Sequence, residues 1–399
     1  MELRSLGRLW WRFVLWMEAL IKGKALAGSS ILHTANNRAN GHPVPEHSSS
    51  SHEQYRARYV ATLVLLIVIA GCGGSGGSGG GTLTGPAATP SIYLTQDNLT
   101  SGGPPPPSNI LQFPTTANGT VSPTATLTGP ADFVFGGLAV DGAGNAYVSG
   151  EIFVGPPSVS VEILVYAPGA SGSSPTRTIT TSSLQTNKDA FSALALDGLG
   201  NLYVSGVLPA QNLASGVAVF SPTASGDAVP IRTIGGSATN IIGPGALPIA
   251  VDSAGTLYVS TADLESDSIL IFNSSANGNV PPTSTIGGPA TTINGIQSLA
   301  VDSAGNIYVS NLPGDDASPE ILEFSAGSTG NVAPTRTIAG PATTISEGGN
   351  LALDGAGNIY VLNNTNLLKF APNATGNVAP IATITTTASP IFYNSIAIH

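Results

Sequence analysis

The chain has 399 residues, of which 42% are apolar and only 9% charged, while Gly and Pro together number 79, about a fifth. That composition excludes coiled coils and helix-rich bundles, which need many Lys, Glu and Leu, and it excludes disorder driven by charge. One Cys excludes an internal disulfide and any multi-cysteine metal site, and a net charge of −10 argues against binding a phosphate backbone.

Charge divides unevenly. Residues 1–72 carry eight Lys/Arg against four Asp/Glu, whereas 73–399 carry five against nineteen, a net −14. The five cations of this acidic part, Arg177, Lys188, Arg232, Arg336 and Lys369, are scattered along the sequence, so no nucleic-acid partner is expected. In residues 1–54, Trp10, Trp11, Phe13 and Trp16 are interspersed with Arg8 and Arg12. This stretch can be drawn as a basic amphipathic helix lying on a membrane. A translation start placed too early accounts for it equally, and the conventional position of the signal that follows favours that second reading.

From Tyr55, Arg56 and Arg58 precede eleven uncharged apolar residues, Val60 to Ala70, and then Gly71-Cys72. A basic flank, a short apolar core and small residues make an export signal, too short for a comfortable membrane span. Ile69-Ala70-Gly71-Cys72 resembles the bacterial lipobox. The resemblance implies that a diacylglycerol alkylates the Cys72 thiol and that Cys72 becomes the amino terminus, anchoring the protein in the cell envelope outside the cytoplasm. Gly73 stands where an inner-membrane-retention Asp would be, which implies the outer membrane or cell surface where one exists. Residues 73–90 are a Gly/Ser-rich tether.

Beyond it the sequence repeats. LAVDGAGNAYVSG (138–150) recurs at 194–206, 249–261, 299–311 and 351–363, in steps of 56, 55, 50 and 52 residues. Each copy is followed by an aliphatic phrase ending in an aromatic residue (ILVY, VAVF, ILIF, ILEF, LLKF) and then by one such as PTRTI or PIRTI. These runs of β-branched, aliphatic and aromatic residues end at Gly, Pro, Asn or Asp, as strands do. Each unit therefore holds four strands. Asp-[Gly/Ser]-x-Gly-[Asn/Thr] always joins strands 1 and 2, Gly supplying positive φ and Asp accepting N–H groups across the turn. Four-stranded units of about 50 residues predict an all-β fold, a β-propeller. SIYLTQ (91–96), ILQF (110–113) and PTATL (123–127) match strands 2 to 4, and Ile396-Ala397-Ile398-His399 matches the missing strand 1. The reading is six blades over 91–399, the closing blade shared between the two ends of the segment.

The phrase LAVDSAGNIYVSN followed by ILEF resembles the NHL repeat. The acidic residue that usually follows the Tyr-Val strand is replaced by Gly150, Gly206, Thr261, Asn311 or Asn363, and the Asn-His-Arg segment before strand 3 is missing. The ligand and RNA roles which the resemblance would imply are therefore not carried over.

In a propeller the 1–2 and 3–4 loops share one face, and the 2–3 loops and 4–1 crossovers the other. The first set is nearly uniform here, whereas the 2–3 loops (101–109, 151–162, 261–268, 311–320) diverge, and divergence on a rigid scaffold is where binding resides. Candidate residues on that face are Glu151, Asp263, Glu265, Asp267, Asp315 and Asp316. Asp263, Glu265 and Asp267 alternate like the start of a calcium loop, but Ser268 replaces the required Gly and Ser274 the bidentate Glu, so they are weak metal candidates. Asp141, Asp197, Asp252, Asp302 and Asp354 share one turn position and read as structural, and the six equivalent tyrosines, Tyr93 to Tyr360, read as inter-blade packing.

Residues 91–399 contain one His, His399, which leaves imidazole-based catalysis without its base. No catalytic residue and no cofactor is expected. The expectation is a monomeric, lipid-anchored binding or scaffolding module with an unidentified protein or glycan ligand. An extracytoplasmic hydrolase or lyase using loop carboxylates, with or without a metal, is the alternative.

Overall fold

A computed structural model describes residues 90–399 except 98–106, 132, 153–159, 171, 173, 186–192, 212–213, 244, 263–266, 314–317, 347, 364 and 387–391. Each repeated phrase is a strand and each unit a four-stranded antiparallel sheet. Blade 1 comprises Phe133–Val140, Ala146–Ile152, Ser160–Tyr166 and Arg177–Gln185. Blade 2 comprises Leu194–Leu196, Leu202–Leu208, Ala214–Phe220 and Arg232–Gly235. Blade 3 runs from Ile249–Val251 to Ser284–Gly287, blade 4 from Ile296–Val301 to Arg336–Ile338, and blade 5 from Leu351–Leu353 to Ala382–Thr386. Blade 6 takes its first strand, Phe392–Ile398, from the far end of the segment and continues with Ser91–Asp97, Asn109–Pro114 and Ala125–Thr128. The protein is a six-bladed β-propeller.

The sheets pack through aliphatic faces that are almost wholly buried. At the end of strand 3, Phe113, Phe220, Phe272, Phe324 and Phe370 are all fully buried. Blade 1 departs from this: Tyr166 occupies the same position, is equally buried, and its hydroxyl has no hydrogen-bond partner. Burial pushes that phenol up to about 12.

Closure follows the expected register. Ile92 faces Ile398, Tyr93 faces Ala397 and Leu94 faces Ile396, and Ser91 and His399 exchange backbone hydrogen bonds of 3.1 and 2.9 Å. The closing strand is longer than the four residues read from sequence, because Phe392 and Tyr393 extend the pairing to Asp97 and Gln96.

The outer edges are also covered, which the repeat did not disclose. The 3–4 loops of blades 2 to 6 turn up along the fourth strand of the blade before them. Gly226 pairs in parallel with Ile179, and Gly119 with Ile384; Gly278, Gly330 and Gly376 form single bridges to Ile234, Ile286 and Ile338. All five glycines have φ between 62° and 77°, a conformation that costs a residue with a Cβ. The loops are uniform because they pair an edge that would otherwise be open.

Two outcomes follow. Deleting residues 395–399 from the full chain removes Ile396 and Ile398, 0% and 4% exposed, worth roughly 4 kcal/mol of burial together. Thermal unfolding should then shift down by about 10 °C; a shift of a degree or two contradicts this closure. Tyr166→Phe restores the residue of the other blades and removes a buried unpaired hydroxyl, so it should stabilise by about 1 kcal/mol in denaturant titration.

Candidate functional site

One face of the ring is occupied by structural bonds. In the first turn Asp141 accepts the N–H of Ala143 and Asn145 at 3.0 and 2.8 Å on one oxygen, and the Asn145 amide at 2.7 Å on the other. Asp197, Asp302 and Asp354 repeat the arrangement. At Asp252 the Asn is Thr256 and the two backbone bonds remain. The tyrosine two residues further on donates to the same carboxylate, at 3.4 Å for Tyr147, Tyr203 and Tyr308 and 3.0 Å for Tyr360.

The cations that look scattered in sequence occupy equivalent seams. Arg177 lies 5.6 Å from the Tyr147 ring centre, donates to its hydroxyl at 2.9 Å, and reaches the carbonyls of Pro222 and Ala224 in the next blade at 2.6 and 3.1 Å. Arg232 does the same with Tyr203 and the carbonyls of Ser274 and Ala276, and Arg336 donates to the Tyr308 hydroxyl and to the carbonyls of Pro372 and Ala374, while also pairing with Glu323. In blade 5 the role passes from strand 4 to strand 3. There Lys369 sits 5.0 Å from the Tyr360 ring, 3.7 Å from Asp354, and bonds Thr115 of blade 6 at 3.1 Å. Lys188 lies outside the described residues.

Blade 3 has no cation in this place. Ser284 stands there and bonds Thr329 at 2.8 Å. Burial, with Asp252 adding to it, pushes the Tyr258 phenol up to about 12. Burial also raises Tyr203, but Arg232 pulls it back.

The opposite face carries the variable elements. Crossovers 2–3, 3–4 and 4–5 open with short 3-10 turns, Ser237–Thr239, Pro289–Thr291 and Pro341–Thr343. Asn279, Asn331 and Asn377 of the neighbouring 3–4 loops accept the N–H of Ala238, Ala290 and Ala342 at 2.6–2.7 Å. The next residues, Asn240, Thr292 and Thr344, sit at φ 55–56°. For a β-branched Thr that conformation is strained.

Asn311 holds the strained turn of blade 4. Its amide donates to Thr292 O at 3.1 Å and to Glu320 at 2.8 Å, and its oxygen accepts the Asn294 N–H at 2.9 Å. Asn363 repeats this at Thr344 and Ser346. Asp267, 4% exposed, accepts the N–H groups of Gly295 and Ile296 at 2.7 and 3.2 Å. Burial raises the Glu320 carboxyl above the usual range although Asn311 opposes it, and burial raises Glu162, its equivalent in blade 1. The candidate site is this polar patch, Asp267, Gly295, Asn311 and Glu320, where blades 3 and 4 meet on the loop face.

Of the residues singled out from sequence, Asp267 lies in the patch as a support for the crossover. Asp263, Glu265, Asp315, Asp316 and Cys72 lie outside the described residues. Glu151 is corrected: it lies inside the strand Ala146–Ile152, paired with Val134, rather than in the loop. The hairpins 151–162 and 311–320 are likewise shorter than read, since Glu162 and Glu320 already belong to strand 3. Among the described residues no three His, Cys, Asp or Glu side chains converge on a metal-sized space. Sequence reading named Asn311 and Asn363 only as replacements for an acidic residue, without their role, and singled out neither Glu320 nor Glu162. A signal existed in Gly-Pro-Ala-Thr-Thr, which occurs at 288–292 and 340–344 and marks the turns the two asparagines hold.

No protein-family model and no curated protein matches the sequence. Among solved structures, a protein of unknown function from Bacteroides caccae is 10% identical over 78% of this chain and 99% of its own, with a TM-score of 0.49. A gluconolactonase from Xanthomonas campestris is 12% identical over 64% of this chain and 79% of its own, with a TM-score of 0.34. A eukaryotic initiation factor is 13% identical over 76% and 64%, with a TM-score of 0.31. Likenesses this loose carry no argument about function.

The uneven seams give a test. Ser284→Arg supplies the missing clamp, within reach of Tyr258 and the next blade's turn, and should stabilise by about 1 kcal/mol. It should also lower the Tyr258 phenol in an alkaline absorbance titration, as Arg232 lowers Tyr203. An unchanged Tyr258 titration would separate these cations from the tyrosines.

Proposed function

We propose that the protein is an extracytoplasmic lipoprotein, anchored through Cys72, whose propeller acts as a binding or scaffolding module through its 2–3 and 4–1 loop face. One observation carries the choice of face. On the 1–2 and 3–4 side the repeated polar groups are engaged in turns and seams, whereas on the other side the 2–3 connections differ in sequence from blade to blade, although three crossovers share one 3-10 turn. Differences between copies on a rigid scaffold give a binding surface its identity. Among the described residues no helix is long and apolar enough to cross a membrane. The raised carboxyl of Glu320 on this face favours the second reading, a hydrolase or lyase; Glu320→Gln abolishing turnover of an envelope ester or glycan would establish it.

Cys72→Ser is the test of anchoring, since only a thiolate takes the lipid. The variant should be released from high-salt-washed membranes or accumulate unprocessed, and unchanged membrane association counts against the proposal. In pull-downs from the envelope fraction, a partner captured by the wild type should be lost with Glu320→Lys and kept with Ala143→Lys on the opposite face.

A further inference from the structure

We infer that the anchored propeller stands with its uniform face toward the membrane and its variable loop face directed away from it; this rests on the anchoring proposed above. The first argument is where the chain joins the ring. The body begins not at a first strand but at the second strand of blade 6, and second strands run from the 1–2 turns toward the 2–3 loops. Ser91 therefore lies on the turn face. Its neighbours there are His399, through the two exchanged backbone bonds, and Pro114 at the start of a 3–4 loop. His399 in turn reaches the Gly142 carbonyl in the Asp141 turn at 3.1 Å.

Eighteen residues, 73–90, separate Cys72 from Ser91. They span at most about 60 Å, and a Gly/Ser-rich chain of this length has an end-to-end distance of about 24 Å. Turning the ring over would require the link to pass the two outer strands of blade 6, about 10 Å, and then climb the seven-residue second strand, about 23 Å. That path is longer than the average reach before any of it touches the membrane. Standing on the turn face needs none of it.

Charge gives a second, independent argument. Among the described residues, the strand ends and connections of the 2–3 and 4–1 side carry Asp97, Glu151, Glu162, Asp267 and Glu320 and no cation, a net −5. The 1–2 and 3–4 side has seven carboxylates against Arg177, Arg232, Arg336 and Lys369, a net −3. An anionic lipid surface repels the first face more strongly, within a Debye length of roughly 8–10 Å. Tether and field select the same orientation, and the loop face is left open to partners outside the membrane.

Cys72 is the only thiol, and lipidation consumes it, so an introduced Cys accepts a single donor dye. Ala304, in the Asp302 turn, and Asn294, in the crossover into blade 4, are both exposed and lie near opposite ends of one first strand. Lipidated full-length Ala304→Cys and Asn294→Cys would be reconstituted in phosphatidylcholine vesicles carrying a headgroup acceptor, with and without phosphatidylglycerol. Energy transfer should be about twofold or more greater from position 304, given a strand height of about 20 Å, and phosphatidylglycerol should widen the difference. Equal transfer, or greater transfer from 294, overturns the orientation. Cys72→Ser remaining on vesicles as firmly as the wild type would overturn the anchoring instead.

Discussion

A β-sheet cannot leave its edge strands open in water without offering their N–H and C=O groups to other chains, and this requirement organises the molecule. Closing the ring through Phe392–Ile398 pairs the edge of the strand that begins at Ser91. On the outside, glycine turns from blades 2 to 6 pair with Ile179, Ile234, Ile286, Ile338 and Ile384 of the preceding blades. The edge is thus covered by backbone from the same chain, and the loops that cover it are held to one sequence pattern because only a residue tolerant of positive φ makes the bridge.

The same loops tie the seams. An arginine at the start of strand 4 stacks on the tyrosine of its own blade and donates to carbonyls of the next, while the tyrosine donates to the aspartate of its own turn. Turn, ring and cation form one chain of contacts, so a change in any of them is felt across two blades. The arrangement is uneven: blade 3 has Ser284, blade 5 uses Lys369 from a different strand, and blade 6 has Gln112 within 3.4 Å of the Tyr93 hydroxyl. Engaging one face in this way leaves the other to differ. There Asn311 and Asn363 hold strained threonines, Asp267 fixes a crossover, and Glu320 is left partly desolvated beside them.

Strand phrases, the Asp-x-x-Gly turn, the number of blades and the shared closing blade were all legible in the sequence, because each depends on residues a few positions apart or on a phrase that recurs. Strand alternation and turn chemistry are local properties, and five near-copies expose them by repetition. What the sequence did not reveal depends on contacts between blades. Arg232 and Ser274 are 42 residues apart, and Gly119 and Ile384 are 265 apart; their meeting is decided by how neighbouring sheets stack around a ring. Five cations therefore looked scattered until four of them fell at seams. The burial of Glu162 and Glu320 has the same origin, since a carboxylate at the head of a strand is exposed or desolvated according to what the folded ring packs beside it. Repetition along the chain determined the blades; only the closed ring decided which polar groups hold the seams and which remain on the loop face.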